Sequence, residues 1–266
     1  MKRPRAPGAG PASLAALLTD FGTDDVYVGV MKAVLLGICR SARIVDLTHA
    51  IPPQDVRLGA LALADAAPYL PAGAVAVAVV DPGVGSARAA LAARAGGRYF
   101  VGPDNGLLSW CLGADAEAVR LEEPRYRLAP VSDTFHGRDI FAPAAAHLLN
   151  GVPLSALGPP TQSWLRLERP APTRRPDGAL EAHVIAVDRF GNLILDLAGD
   201  ELPARPAFEV AGRPAVGLVR SYAEAGDGLA ALVGSFGRVE LAWPNGSAAS
   251  VLGVGIGATV VVRVVP

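Results

Sequence analysis

The chain has 266 residues, 51% of them hydrophobic and 18% charged, which allows a substantial core and excludes a disordered protein. A net charge of -1 provides no basic face for nucleic acid, and no apolar run is long enough to span a bilayer, so both partners are excluded. Two distant cysteines, Cys39 and Cys111, without a convincing secretory leader predict reduced thiols in a cytoplasmic protein, and the first eleven residues read as a tail.

From about residue 12 to 167, short apolar runs alternate with helical patterns, which predicts a mostly parallel sheet flanked by helices. The strands are expected at 14–18, 43–47, 74–80 and 98–101, and the third is apolar throughout, as a strand buried on both faces should be. Helices are expected at 26–38, 55–67 and 138–149, with Asp55 capping the second and Pro68 just past its end. Residues 168–180, rich in Pro, Arg and Gly, are expected to link this domain to a second one at 181–266. There, short β-rich segments at 182–187, 193–197, 229–233, 239–242 and 259–265, separated by turn residues, predict a smaller antiparallel β-barrel.

Each of the first four strands carries an aspartate at or just past its end: Asp20, Asp46, Asp81 and Asp104. Ligands in open α/β sheets bind beyond the carboxyl ends of strands, so these acids are expected at one crevice edge, although Asp46 and Asp104 read equally well as turn or cap residues. The loop Asp81-Pro-Gly-Val-Gly-Ser-Ala-Arg88 has Arg where a dinucleotide fingerprint needs its third glycine, and neither lysine of the chain follows a phosphate loop. It does bring a carboxylate and a guanidinium near one another, a pair able to hold a water molecule. His136 stands in the dense polar stretch from Asp133 to Asp139, just before an Ala-rich helix, and its loop position makes it a candidate for catalysis, although a lone histidine is more often structural. His49, His147 and His183 have no such setting and read as structural. No His, Cys or carboxylate spacing fits a metal site, so no metal and no cofactor are expected.

Five ordered motifs carry a resemblance: Thr19-Asp-Phe-Gly22; Val80-Asp-Pro-Gly-Val-Gly85 with Arg88; Gly102-Pro-Asp-Asn-Gly106; Phe135-His-Gly-Arg-Asp139; and Asp188-Arg-Phe-Gly-Asn192. Together they resemble the S-adenosyl-L-methionine (SAM) hydrolase (adenosine-forming) family, also called the SAM hydroxide adenosyltransferases and related to fluorinase and chlorinase. The resemblance implies hydrolysis of SAM to adenosine and L-methionine by a homotrimer with sites between the N-terminal domain of one subunit and the C-terminal domain of the next. It implies a catalytic triad of Asp81, Arg88 and His136, a ribose-binding Asp20, and further substrate contacts from Asp188, Asn192, Tyr222, Ser235, Glu240 and Ala248. One departure is the Ala-Trp-Pro-Asn-Gly-Ser stretch between Glu240 and Ala248. Two other functions compete. A halogenase would need an anion beside Asp81, which the carboxylate repels; a catalytically silent SAM or adenosine sensor would need no triad to position a nucleophile.

Overall fold

The computed structural model describes residues 13–215 and 217–265, and the tail expected over the first eleven residues lies outside them. The chain divides into two compact units, one ending at Leu167 and the other beginning at Glu168.

In the first unit seven strands form one sheet: β1 (Leu14–Thr19), β2 (Arg43–Thr48), β3 (Val75–Val79), β4 (Ala90–Ala95), β5 (Arg98–Pro103), β6 (Glu117–Arg120) and β7 (Pro160–Thr161). Their order is β2-β1-β3-β5-β4-β6-β7. The first four run parallel, and β4, β6 and β7 join by antiparallel pairing. The sheet is therefore mixed, a correction to the mostly parallel expectation. Its physical source is Gly96-Gly97, whose positive φ angles of 53° and 77° close a tight β4–β5 hairpin.

Alternation along the central strands feeds two cores, as a period of two requires. Ala16, Leu18, Ala76 and Ala78 face one side, with Leu63 and Ala67; Leu17, Val75, Val77 and Val79 face the other, with Met31, Phe141, Ala145 and Leu148. The covering helices are α1 (Tyr27–Ile38), α2 (Val56–Ala66) and α3 (Ala142–Leu149). Asp55 caps α2, its Oδ1 accepting from the Leu58 amide at 2.9 Å. Ahead of α3, Gly137–Phe141 forms a π-helical turn, a distortion common at functional sites.

The second unit is one nine-stranded sheet: β8 (Thr173–Arg174), β9 (Leu180–Val187), β10 (Leu193–Ala198), β11 (Pro206–Val210), β12 (Arg213–Pro214), β13 (Leu218–Val219), β14 (Ala230–Val233), β15 (Arg238–Ala242) and β16 (Thr259–Val264). Its path runs β12-β11-β16-β9-β10-β15-β14-β13, with β8 on β9. All ladders are antiparallel except β13–β14, and among the described residues no pairing joins β12 to β13, so the sheet does not close through its ladders. Leu193, Leu195 and Leu197 alternate into its core with Val184, Val260, Val262 and Phe208. A short helix, α4 (Ala248–Leu252), capped by Ser247, packs its first residue there as well.

Candidate active site

The parallel order β2-β1-β3-β5 puts Asp46 near the end of β2, and Asp20, Asp81 and Asp104 just past the ends of β1, β3 and β5, on one edge of the sheet. The loop after β3 folds tightly: the Val84 amide donates to Asp81 O, the Ser86 amide to Gly83 O, and the Arg88 amide to Ser86 Oγ. This returns Arg88 onto Asp81. Its Nε donates to Asp81 Oδ1 at 3.0 Å and to Oδ2 at 3.1 Å, and its Nη2 makes a short contact to Oδ2. Asn105 fixes the start of the loop, donating from Nδ2 to Val80 O at 2.8 Å. The two side chains of the ion pair are only 4% and 10% exposed, which makes the pairing strong and its loss costly.

His136 comes from a loop docked against this one. Gly85, at φ +77°, lets the two approach: a Cβ there would lie 2.4 Å from the Asp133 carbonyl oxygen. Buried Asp139 braces the second loop, accepting from the Ser132 amide at 2.9 Å and from Arg138 Nε at 2.6 Å and Nη2 at 2.8 Å. The result is a contact of 2.7 Å between Arg88 Nη2 and His136 Nδ1. A guanidinium can only donate, so Nδ1 must accept and the imidazole proton resides on Nε2. The same neutral form is favoured by burial and then by the Arg88 charge, which hold the His136 pKa below the usual 6.5 against the opposing pull of Asp81. Arg88 and His136 line a cavity of about 500 Å³ together with Asp104, Arg120, Glu122 and Arg127.

Asp20 joins this region through aromatic packing. Phe21, Tyr27 and Phe135 pack edge-on or tilted in a mutual cluster, with Phe21 and Phe135 centroids 6.1 Å apart, and these two rings flank Asp20 and His136 in the chain. Asp20 Oδ2 accepts from the Gln54 amide at 2.8 Å. Asp104 Oδ1 holds the Leu165 amide at 2.8 Å, a structural bond. Asp46 is paired with Lys32 and His49, which lower its pKa against a burial effect that raises it.

In the second unit four of the expected contacts form a chain of hydrogen bonds. Asn192 Nδ2 donates to Asp188 Oδ2 at 2.8 Å and lies 3.5 Å from Tyr222 Oη, and that hydroxyl donates to Glu240 Oε1 in a short contact. Burial raises the Glu240 pKa, as does the nearby Asp188, while the Tyr222 hydroxyl opposes the shift. Asn192 and Tyr222 line a pocket of about 750 Å³ with Phe190, Trp243, Pro244, Asn245 and Gly246. Ser235 stands apart on the exposed β14–β15 turn, and Ala248 is 0% exposed with its methyl in the sheet core. Trp243 and Asn245 were not among the sequence candidates; the signal was the Pro-Asn-Gly turn, where Asn245 adopts φ +58°.

Residues 15–158 match the family model described as SAM hydroxide adenosyltransferase N-terminal domain, and residues 182–261 match its C-terminal domain. The chain belongs to the SAM hydroxide adenosyltransferase family. A relative from Thermus thermophilus, named (R)-S-adenosyl-L-methionine hydrolase, is 48% identical over 89% of this chain and 94% of its own. A fluorinase from Actinopolyspora mzabensis is more distant, 30% identical over 71% of this chain and 73% of its own. A crystal structure of an uncharacterized conserved protein from Thermotoga maritima superposes with a TM-score of 0.86 at 33% identity, covering 93% of this chain and 99% of that one. Asp81, Arg88 and His136 all lie within the span that the N-terminal model matches.

Proposed function

We propose that this SAM hydroxide adenosyltransferase hydrolyses SAM at C5′ to adenosine and L-methionine, with Asp81, Arg88 and His136 acting on one water. The observation that carries the reading is the continuous Asp81–Arg88–His136 contact beyond the end of β3. Methionine leaves as a neutral thioether from a sulfonium, so expulsion needs no acid. The demand falls on water, whose pKa is about 15.7 in bulk. The water oxygen forms the bond to C5′, the C5′–S bond breaks with its electron pair going to sulfur, and one water proton must depart.

His136 Nδ1 is occupied by Arg88, which leaves Nε2–H as a donor that aims the water oxygen. Asp81 keeps lone pairs beyond those used by Arg88 and is the proton acceptor. Arg88 holds both partners in register and stabilises negative charge on the attacking oxygen. Asp20 receives the ribose hydroxyls; Asp188, Asn192, Tyr222 and Glu240 meet the rest of the substrate, with Ser235 at its edge.

The T. thermophilus relative is named for the (R) epimer of the sulfonium, and we extend that stereochemistry to this chain. A homotrimer with each site shared by two subunits, and a cytoplasmic location, complete the reading; sedimentation tests the first. No metal or cofactor takes part, so dialysis against a chelator is expected to leave turnover unchanged. The fluorinase relatives keep halogenation as the second reading, disfavoured because Asp81 repels a halide. The test is to supply the (R) and (S) sulfonium epimers separately in halide-free buffer, with and without chloride, and to resolve the products by chromatography. Catalytic adenosine from the (R) epimer is expected; a 5′-halo-5′-deoxyadenosine would make the protein a halogenase, and binding without turnover would make it a sensor.

A further inference from the structure

The connection from β2 to α2 grips the loop carrying Asp20 at three points. Thr19, fully buried, accepts from the Phe21 amide through Oγ1 at 3.2 Å and bonds His49 Nδ1 through the same oxygen at 2.9 Å. The His49 carbonyl accepts from the Gly22 amide at 2.8 Å. On the other side the Gln54 amide holds Asp20 Oδ2, and Gln54 does so from a left-handed backbone at φ +68°, a conformation disfavoured for a residue with a Cβ.

His49 is itself held. It is 6% exposed, and its Nε2 lies 3.1 Å from Asp46 Oδ1, off the line of a ring N–H hydrogen bond but close enough for the carboxylate to favour a proton on that nitrogen. Asp46 Oδ2 in turn accepts from Lys32 Nζ at 2.6 Å. With Nε2 protonated, Nδ1 accepts, so the Thr19 hydroxyl donates to His49 while its oxygen accepts from Phe21.

We propose that His49, set by Asp46, is a positioning residue that fixes Thr19 and thereby aims the Asp20 carboxylate at the ribose hydroxyls. The inference rests on the reading of Asp20 as the ribose ligand. Two adjacent hydroxyls need a carboxylate held in one orientation, and among the described residues a single hydrogen bond, from the Gln54 amide, holds the Asp20 carboxylate itself. The neighbouring Thr19–His49 bond supplies the rest of the constraint through the backbone.

The test compares adenosine with 2′,3′-dideoxyadenosine by calorimetry. Wild type is expected to prefer adenosine by about 10- to 100-fold, the worth of hydrogen bonds to a charged group. Thr19→Val, nearly isosteric but without the hydroxyl, and His49→Gln, which leaves no acceptor at the Nδ1 position, are each expected to cut the preference to about threefold or less. Thr19→Ser and His49→Asn, which keep the hydroxyl and an acceptor near Nδ1, should restore most of it. A merely structural role would lower the Tm and weaken both nucleosides equally, so an unchanged preference in Thr19→Val and His49→Gln overturns the proposal. If Thr19→Val does not fold, the His49 pair carries the same comparison. Absence of any preference in wild type would instead overturn the ribose reading of Asp20, and the proposal with it.

Discussion

Replacing Asp81 with Asn changes one oxygen for an amino group and tests the site at its base. The carboxylate accepts both Nε and Nη2 of Arg88. An Asn can accept through one oxygen only, and its amino group would face a guanidinium that has no acceptor. Since the partners are 4% and 10% exposed, the positive charge is left largely desolvated. Breaking a buried pair costs about 3–5 kcal/mol, and the acceptor that remains puts this substitution near 3 kcal/mol. Loss of the proton acceptor is expected to lower kcat by about 10²- to 10⁴-fold. Adenosine, which does not need the nucleophilic water, should bind within about threefold of wild type. The assay is chromatographic quantitation of adenosine from SAM, with calorimetry for adenosine and urea denaturation for stability. A kcat within tenfold of wild type, or turnover and adenosine affinity falling in proportion, would refute the assignment of Asp81 as the base.

Five further outcomes follow from the structure. His136→Gln, which keeps an N–H donor near Nε2, is expected to retain about tenfold or more of the activity lost in His136→Ala; equal losses in kcat would exclude the donor role. Because burial and Arg88 hold the His136 pKa below 6.5, the imidazole is neutral at pH 7, and kcat/KM should stay level through neutrality and fall on the acid side of 6.5 as a proton displaces Arg88 from Nδ1; His136→Gln should lose that limb. His147 is likewise shifted down by burial. The unfolded chain therefore binds more protons below about pH 6.5, so the Tm should hold above that pH and drop beneath it; a Tm rising on acidification would contradict the shift. Gly85→Ala forces a methyl into the Asp133 carbonyl and is expected to part the two loops, lowering kcat by about 10- to 100-fold with a smaller effect on adenosine binding, and unchanged kcat would show that the docking is slack. Tyr222→Phe takes the hydroxyl from Glu240, which is 7% exposed, and should destabilise the protein by about 1–3 kcal/mol at pH 7.5. The Glu240 pKa is already raised, so protonation removes the unpaired charge and the deficit should shrink at pH 4.5; a deficit independent of pH would place the effect in packing.

Local chemistry is written in the sequence. The apolar run at 75–79, the Asp55 cap and the acids at strand ends are local patterns, so the α/β unit and the loops bearing Asp20, Asp81 and His136 were legible before any coordinates. The Gly96-Gly97 hairpin was equally local, but its Ala-rich partner strand lacks the β-branched residues that mark a strand, and the mixed sheet was missed for that reason. What tertiary structure alone decided are contacts between residues far apart in the chain. His49 reads as structural because nothing near it in sequence reveals Thr19 thirty residues earlier, and Ala248 looks like a ligand contact until the sheet core takes its methyl. The proton position on His136 belongs here too: only the fold puts a donor-only guanidinium 2.7 Å from Nδ1, a contact between residues 48 apart with no counterpart in local sequence.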